Sequence, residues 1–215
     1  MRILIADDHG IVRDGLKSLL NEQPDMEVVG EAENGQAAVQ MAEEHSPDIV
    51  IMDMSMPLLN GVEATRLILK NDPNTRVMIL SMHSDRHIVK ETLEAGASAY
   101  VLKSHIFDEM LRALETLANG GRYLSPQVTD IVIDGYLGKS TGKASSGTPK
   151  LTSRERQIVQ LVAEGKTVKE IARILHISPK TADTNRRQVM NKLGISSVAE
   201  LTKYAVREGL TSLEF

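Results

Sequence analysis

The chain lacks cysteine and tryptophan, and aromatic side chains make up only 3% of its 215 residues. Without cysteine it has no disulfide framework and no thiolate for metal or redox chemistry. It also lacks any apolar run of the roughly 18 residues that a membrane-spanning helix needs. Asp7 and Asp8 follow the first residues too closely for a signal peptide. We therefore expect a soluble, cytoplasmic protein with no membrane partner.

The charge of the chain is divided unequally between its two ends. Residues 1–137 carry 11 Lys and Arg against 22 Asp and Glu, whereas residues 138–215 carry 14 against 7. With 41% apolar residues, the length is enough for two small domains with cores of their own. An acidic front and a basic rear predict a polyanion partner for the second domain only, with ordinary surface variation as the alternative.

Apolar runs alternate with amphipathic helical patterns over about the first 120 residues. The run at 48–52 has no polar alternation, which is typical of a strand covered on both faces, and it ends at Asp53. Such alternation predicts a flavodoxin-like, doubly wound parallel sheet of order 2-1-3-4-5, with right-handed crossovers. The predicted strands lie near residues 3–6, 27–30, 48–53, 77–80 and 99–102, each followed by a helix.

The rear of the chain has a different pattern. An amphipathic stretch after Pro126 predicts one more helix, and the Gly-, Ser- and Lys-rich residues 138–149 have the composition of a flexible linker. Beyond them the periodicity is helical only, with helix-start signals at Thr152, Thr167 and Ser178. We predict an α/β domain at residues 1–122, a linker at 123–149 and an all-α, four-helix domain at 150–215.

Charged and hydroxyl side chains follow the ends of the predicted strands. In the order 2-1-3-4-5 the first and third strands are neighbours, so Asp7, Asp8 and Asp53 would share one crevice. Three carboxylates repel one another unless a hard cation such as Mg²⁺ lies among them. Lys103 and Ser81, after the fifth and fourth strands, would add a positive charge and a hydroxyl. Together these groups can hold a phosphoryl group beside a carboxylate nucleophile, although a single Asp after a strand is usually a turn residue.

These residues stand in the order and at the spacing found in the receiver domains of response regulators, which residues 1 to about 120 resemble. The residues that carry this resemblance are Asp7-Asp8, Asp53 followed by Met56-Pro57 and Gly61, Ser81, Tyr100 and Lys103. The resemblance implies that Asp53 accepts a phosphoryl group. It further implies that Mg²⁺ is ligated by Asp8, by Asp53 and by the backbone carbonyl of Ser55, and that Asp7 acts on the metal through water.

The same resemblance implies a switch. Ser81 and Tyr100 would be the switch pair, with Tyr100 turning inward on phosphorylation, and Lys103 would contact the phosphoryl group. Tyr100 taken alone is equally well explained as a packing residue. Met82, which is bulkier than the residue many receivers carry there, would restrict access to the site.

One further pair of side chains has the spacing of metal ligands. His83 and His87 are four residues apart, which places them on one face of a predicted helix. No acidic third ligand is patterned with them. We therefore interpret them as surface residues rather than as a metal site.

The second and third helices of the rear domain, joined by His176-Ile177, form a helix-turn-helix candidate. Ala182, Val189 and Leu193 would form the buried side of the third helix. On the other side, Arg187 can pair with guanine and Asp183 can accept from cytosine N4. The predicted DNA contacts are Lys180, Thr181, Asp183, Thr184, Arg186 and Arg187.

This region resembles the LuxR-type helix-turn-helix, and with the receiver in front the whole chain resembles a NarL/FixJ-type response regulator. The resemblance is carried by residues 151–156, Gly165, 169–172, Leu175, 177–178, 180–181, Met190, 192–193 and 204–205. Residues 182–185 read Ala-Asp-Thr-Asn where the family often has Val-Lys-x-His, so the half-site preference of relatives does not transfer.

The resemblance also implies partners. They are a sensor histidine kinase, promoter half-sites in double-stranded DNA and, after phosphorylation, a second copy of the chain. In relatives the unphosphorylated receiver covers the recognition helix. The protein would not be an enzyme beyond its own phosphoryl transfer and slow dephosphorylation.

Three alternatives remain open from the residues. The crevice could serve a Mg²⁺-dependent phosphohydrolase, which would turn over phosphomonoesters continuously, although the third strand lacks the Asp-x-Asp of haloacid-dehalogenase-type sites. The terminal helices could bind protein in a signalling adaptor. They could also form a dimerisation bundle that never contacts DNA.

Overall fold

The computed structural model describes residues 1–136 and 151–211, so the predicted flexible linker at 138–149 lies outside the described residues. One parallel sheet of six strands has the order β2-β1-β3-β4-β5-β6, which confirms the predicted order 2-1-3-4-5 and adds a strand. The strands are β1 (Arg2–Ala6), β2 (Glu27–Ala32), β3 (Ile49–Asp53), β4 (Arg76–Ser81), β5 (Ala99–Leu102) and β6 (Tyr123–Leu124). Within these ranges, no helix is long and apolar enough to cross a membrane.

Helices cover both faces of the sheet, because each strand presents apolar side chains in both directions. In β1, Leu4 packs into the core on one face, and Ile3 and Ile5 pack into the core on the other. Helices α2, α3, α4 and α6 lie on the first face, and α1 and α5 lie on the second. Their bounds are α1 (Gly10–Asn21), α2 (Gly35–His45), α3 (Gly61–Asn71), α4 (Arg86–Glu94), α5 (Ile106–Ala118) and α6 (Pro126–Tyr136).

The strand β6 was not predicted from the sequence. It pairs in parallel with β5, and Ser125, which follows it, is fully buried. The Ser125 hydroxyl accepts from the Leu102 amide at 3.1 Å and donates to the Glu109 carboxylate. Val128 of α6 belongs to the core beneath α4. The beginning of the segment predicted as linker therefore packs against the sheet, because its buried serine and valine find partners there.

The rear of the chain forms the predicted helices α7 (Ser153–Ala163), α8 (Val168–Ile174), α9 (Pro179–Leu193) and α10 (Val198–Arg207). Thr152 and Thr167 form the predicted capping boxes, each with a Glu three residues later. The Ser178 side chain accepts from the Thr181 amide and caps α9. These helices enclose a core of their own, which includes Ile158, Leu161, Ile171, Leu175, Ala182, Val189, Leu201 and Ala205.

The helical domain docks on the α/β domain through α7 and the end of α10. Arg156 of α7 forms ion pairs with Glu63 of α3 at 2.6 Å and with Glu91 of α4 at 2.9 Å. Leu58 of the α/β domain packs against the core of the helical domain. Gly209, just after α10, lies against Ile88. The two domains thus share a contact that is both apolar and charged.

Candidate functional site

The carboxyl ends of β1, β3 and β5 bring the predicted acids and the lysine together. Asp7 directly follows β1, and Asp53 ends β3, which pairs with β1. Both carboxylates are buried, Asp53 with only 3% of its surface exposed. Lys103, directly after β5, places its Nζ 2.8 Å from Asp7 Oδ2 and 2.9 Å from Asp53 Oδ1. The crevice therefore contains one ammonium group between two buried carboxylates.

The charges in this crevice are not balanced. Burial, and next the neighbouring Asp7 carboxylate, raise the pKa of Asp53 to about 7, although Lys103 acts in the opposite direction. Burial alone would lower the pKa of Lys103, but the attraction of Asp53 and Asp7 outweighs it and raises that pKa. The site consequently favours any additional positive charge.

The acids have the arrangement of a cation site. Asp7, Asp8, His9 and Asp53 each offer a ligand atom, and these atoms lie within 4.8 Å of one another. Carboxylate oxygens are the ligands that Mg²⁺ prefers, and a divalent cation would relieve the repulsion that raises the pKa of Asp53. The residues therefore fit Mg²⁺. The part of the Ser55 carbonyl in holding it stays a prediction.

His9 was not singled out in the sequence. Its Nδ1 lies 2.9 Å from Asp8 Oδ1 and 3.2 Å from Asp7 Oδ1, and its amide donates to Asp7 Oδ1 at 2.9 Å. His9 immediately precedes α1, so its position follows from the turn between β1 and that helix. In the sequence, the feature that indicates His9 is its position directly after Asp7-Asp8.

The predicted switch residues occupy the end of β4 and the middle of β5. Ser81 is buried, and its hydroxyl accepts from the His83 amide at 3.0 Å. Tyr100 is fully buried, its hydroxyl donates to the His83 carbonyl at 2.7 Å, and burial raises the pKa of Tyr100 to about 12. Tyr100 therefore lies inward in this structure, where the His83 carbonyl supplies the acceptor that lets its hydroxyl be buried. The movement of Tyr100 on phosphorylation stays a prediction.

The neighbours of this pair face outward. Met82 is 67% exposed, so most of its side chain lies in solvent. His87 places Nε2 3.8 Å from Glu208 Oε2, which belongs to the helical domain. Among the described residues its ionic partner is one carboxylate across the domain contact, and its side chain is mostly exposed, which agrees with its interpretation as a surface residue.

The recognition helix α9 has the predicted faces. Ala182 and Val189 are buried against the helical core. The predicted contacts Lys180, Thr181, Thr184 and Arg187 are exposed, and Asp183 and Arg186 are partly exposed. In this structure the domains dock through α7 and the end of α10, and the predicted contact residues of α9 lie outside that docking surface. That the unphosphorylated receiver covers this helix, as in relatives, stays an expectation.

The charges on α9 pair with one another. Asp183 accepts from Arg186 Nη2 at 2.8 Å and contacts Arg187 Nη2 at 2.7 Å. Hydrogen bonding from Arg186, together with the charge of Arg187, lowers the pKa of Asp183. Arg187 must leave Asp183 before it can pair with guanine. The spacing of three and four residues is the sequence signal that indicates these pairs.

Comparisons with known proteins divide the chain in the same way. The family "Response regulator receiver domain" matches residues 3–115. The family "Bacterial regulatory proteins, luxR family" matches residues 149–205.

Similar proteins match over the whole chain. The transcriptional regulatory protein MctR of Rhizobium johnstonii is 38% identical over 99% of this chain and 96% of its own. The oxygen regulatory protein NreC of Staphylococcus carnosus is 37% identical over 98% of this chain and 99% of its own. RcsB of Salmonella enterica serovar Typhimurium, solved on promoter rprA with the phosphomimetic beryllofluoride, is 28% identical. Its TM-score is 0.62, with 95% of this chain and 97% of that chain covered.

Proposed function

Since the chain belongs to the NarL/FixJ-type response regulators, which join a receiver domain to a LuxR-type helix-turn-helix, we propose that phosphorylation of Asp53 by a sensor histidine kinase controls its DNA binding. In this proposal the protein is a cytoplasmic transcriptional regulator that uses Mg²⁺. The observation that carries it is the position of Lys103 Nζ, 2.9 Å from Asp53 Oδ1 at the carboxyl edge of the sheet.

The residues of the crevice have distinct tasks in this reaction. The ionised Asp53 carboxylate attacks the phosphorus atom of the kinase's phosphohistidine, the P–N bond breaks, and the imidazole leaves with the bonding electron pair and takes up a proton. Lys103 stabilises the charge on the phosphoryl oxygens. Asp8, Asp53 and the Ser55 carbonyl would hold Mg²⁺, with Asp7 acting through water, and the bound ion would supply positive charge against the transferred group. Ser81 would donate its hydroxyl to the phosphoryl group, which requires the Ser81 side chain to leave the His83 amide.

The reaction stops at the acyl phosphate in this proposal. The chain would catalyse only its own phosphoryl transfer and slow dephosphorylation. Phosphorylation adds roughly 1.5 to 2 negative charges. A phosphohydrolase would instead turn over phosphomonoesters continuously.

The recognition helix would read the major groove. Lys180, Thr181, Thr184 and Arg187 are exposed on α9 and therefore available to a duplex. Two copies would bind two half-sites, with α10 as the contact between them. Val198 of α10 is 45% exposed, which leaves an apolar side chain for such a contact. RcsB, solved on a promoter with a phosphomimetic, supports the link between the two domains.

The phosphoryl step is tested by the mass of the protein after incubation with a small phosphodonor and Mg²⁺. We expect one added phosphoryl group on the wild type and none on Asp53→Asn. The matched control is Asp130→Asn, which changes an exposed aspartate of α6 and should be phosphorylated normally. No mass change on the wild type, or normal uptake by Asp53→Asn, would refute the proposal. Sustained release of phosphate would favour the phosphohydrolase.

The DNA step is tested by promoter affinity with and without beryllofluoride. We expect tighter, dimeric binding with the mimic and a steep loss of affinity as salt rises, because phosphate contacts release counterions. Equal promoter affinities with and without beryllofluoride would refute control of DNA binding by phosphorylation. A chain that binds no DNA even at low salt would favour the adaptor.

A further inference from the structure

The loop between Asp53 and α3 is held by a residue of the DNA-binding domain. Gln160 of α7 is fully buried although glutamine is usually exposed. Its Oε1 accepts from the Asn60 amide at 2.9 Å, and its Nε2 donates to the Met56 carbonyl at 2.8 Å. Nε2 also lies 2.8 Å from Glu164 Oε1. One side chain thus binds the backbone at two points of the loop, Met56 and Asn60.

The middle of the same loop is held as well. The Leu58 amide donates to both carboxylate oxygens of Glu164 at 3.3 Å. Leu58 has a φ of 68°, a left-handed conformation that is costly for a branched residue unless its surroundings impose it. Its side chain packs against the helical core, so docking supplies those surroundings. If the domains separated, the strain at Leu58 would be free to relax.

The loop is also tightly joined to the phosphoacceptor. The Gly61 amide donates to the Met54 carbonyl at 2.9 Å and closes the loop into an arch. A Cβ on Gly61 would lie 2.1 Å from the Asp53 carbonyl oxygen. Ser55, the expected metal ligand, is the residue before Met56. Because the Ser55 carbonyl and the Met56 amide belong to one peptide unit, a shift of Met56 would move the Ser55 carbonyl.

We propose that Gln160 is a positioning residue for the phosphorylation site, through which docking of the DNA-binding domain and phosphoryl binding at Asp53 oppose each other. The proposal rests on the proposed function, in which Asp53 is the acceptor, and it adds that phosphorylation of Asp53 releases the docked domains. Gln160 contacts neither Asp53 nor the phosphoryl group. It acts through the loop 54–60.

The docking contact is incompletely satisfied. Among the described residues, the buried atoms Asn60 Nδ2 and Glu63 Oε2 find no hydrogen-bond partner. Such groups weaken an interface and make it easier to open.

Thermodynamic linkage between domain docking and phosphoryl binding predicts whether removing Gln160 strengthens or weakens phosphoryl binding. If phosphoryl binding releases the domains, then releasing the domains must tighten phosphoryl binding by the same factor. Removal of Gln160 leaves the Met56 carbonyl and the Asn60 amide without their partner in the docked state only. It should therefore shift the chain toward the released state and strengthen binding of a phosphoryl mimic.

The experiment measures the affinity of the full chain for beryllofluoride in Mg²⁺ buffer by calorimetric titration. We expect Gln160→Leu to bind about tenfold more tightly than the wild type, within the usual range of coupling between sites. Gln160→Glu keeps the size and the acceptor but loses the donor to Met56, and we expect a change in the same direction. The matched control is Gln157→Leu on the same helix, where the side chain accepts only from Arg154 among its described contacts.

A gain of affinity is a result that general damage to the fold does not produce. Equal affinities of the wild type and both Gln160 variants would overturn the proposal, whether or not small-angle scattering shows the domains separating. Weaker binding by both variants would overturn it as well. Failure of the proposed function looks different: the wild type itself would bind no beryllofluoride, or Asp53→Asn would bind it normally.

Discussion

The carboxylate crevice and the recognition helix both place acids beside basic side chains, but the first is buried and the second lies at the surface. In the crevice, burial raises the pKa of Asp53 to about 7 although Lys103 is 2.9 Å away. On α9, Arg186 and Arg187 lower the pKa of Asp183. Pairing with a cation lowers the aspartate pKa in both places, but the net shift is upward in the crevice, because desolvation outweighs pairing where water is excluded.

This difference assigns different chemistry to the two regions. The ionised form of Asp53 is destabilised in the crevice. Binding of a cation is therefore favoured there, and so is a reaction that redistributes the negative charge of the carboxylates. The charges of α9 are at least partly solvated, and Arg187 most of all. Arg187, whose side chain is 72% exposed, can exchange Asp183 for a DNA phosphate or base at little cost. Four substitutions test the comparison, beginning with the largest expected effect.

The largest effect is expected from Asp53→Asn in the presence of a chelator. Since the pKa of Asp53 rises from its ordinary 3.8 to about 7 on folding, the wild type loses stability as pH rises through that window. Asn has no charge to bury. Above pH 7 we expect the variant to be more stable by a few kcal/mol, at most ~4 kcal/mol.

Urea unfolding at pH 5 and pH 8 measures this difference. The gap between variant and wild type should widen with pH and shrink when Mg²⁺ is added. A gap that does not depend on pH would show that the crevice is as well solvated as α9.

The next largest effect is expected from Gly61→Ala. A Cβ there would lie 2.1 Å from the Asp53 carbonyl oxygen and 3.0 Å from Met52 Cγ, so the backbone must move. We expect a loss of about 1–3 kcal/mol in the free energy of unfolding. Phosphodonor uptake should slow because Asp53 is displaced. The control is Gly10→Ala. Among the described residues, the nearest atom to its Cβ would belong to the Arg13 side chain at 3.8 Å, so we expect no change in the free energy of unfolding or in phosphodonor uptake.

A smaller effect is expected from Ser178→Ala at the start of α9. The Ser178 hydroxyl accepts from the Thr181 amide at 3.1 Å, and its loss should destabilise the helical domain by ~1 kcal/mol. Thermal unfolding followed by circular dichroism measures it. Ser178→Asn should restore most of the stability, because asparagine caps helices equally well. A variant as stable as the wild type would mean that packing, rather than the cap, determines where α9 begins.

The smallest effect on stability is expected from Asp183→Asn. The substitution frees Arg186 and Arg187 without changing a buried contact, so we expect no measurable change in unfolding. DNA affinity should rise several-fold, with a steeper dependence on salt, as more phosphates are neutralised. Fluorescence anisotropy over a salt series checks both. If affinity falls instead, Asp183 contacts a base.

The elements that were predicted correctly are those whose signals are local or follow from general topology. The caps at Thr152 and Thr167 depend on a glutamate three residues away, which any reader of the sequence can see. The meeting of Asp7, Asp53 and Lys103 follows because parallel strands end at one edge of a sheet.

What was missed depends on distant partners or on competing ones. The two residues of β6 are too few for a periodicity, and they form a strand only because β5 lies beside them. The acceptor of the Tyr100 hydroxyl is the His83 carbonyl, a backbone group that the sequence does not single out. The pairing of Asp183 had a signal in its spacing to two arginines, but that spacing alone does not decide between an arginine and a base.

By itself, the sequence determined the order of strands and helices, the two domains of opposite charge and the acids available for a phosphoryl site. These properties are set by patterns within a few residues and by the short list of ways in which βα units can pack. Only the tertiary structure decided that Gln160 hydrogen-bonds to the Met56 carbonyl and the Asn60 amide. It also decided that the predicted contact residues of α9 are left exposed or partly exposed. The sequence around Gln160 does not indicate which surface this side chain will contact. Its partners are backbone groups about a hundred residues away, and every residue has such groups.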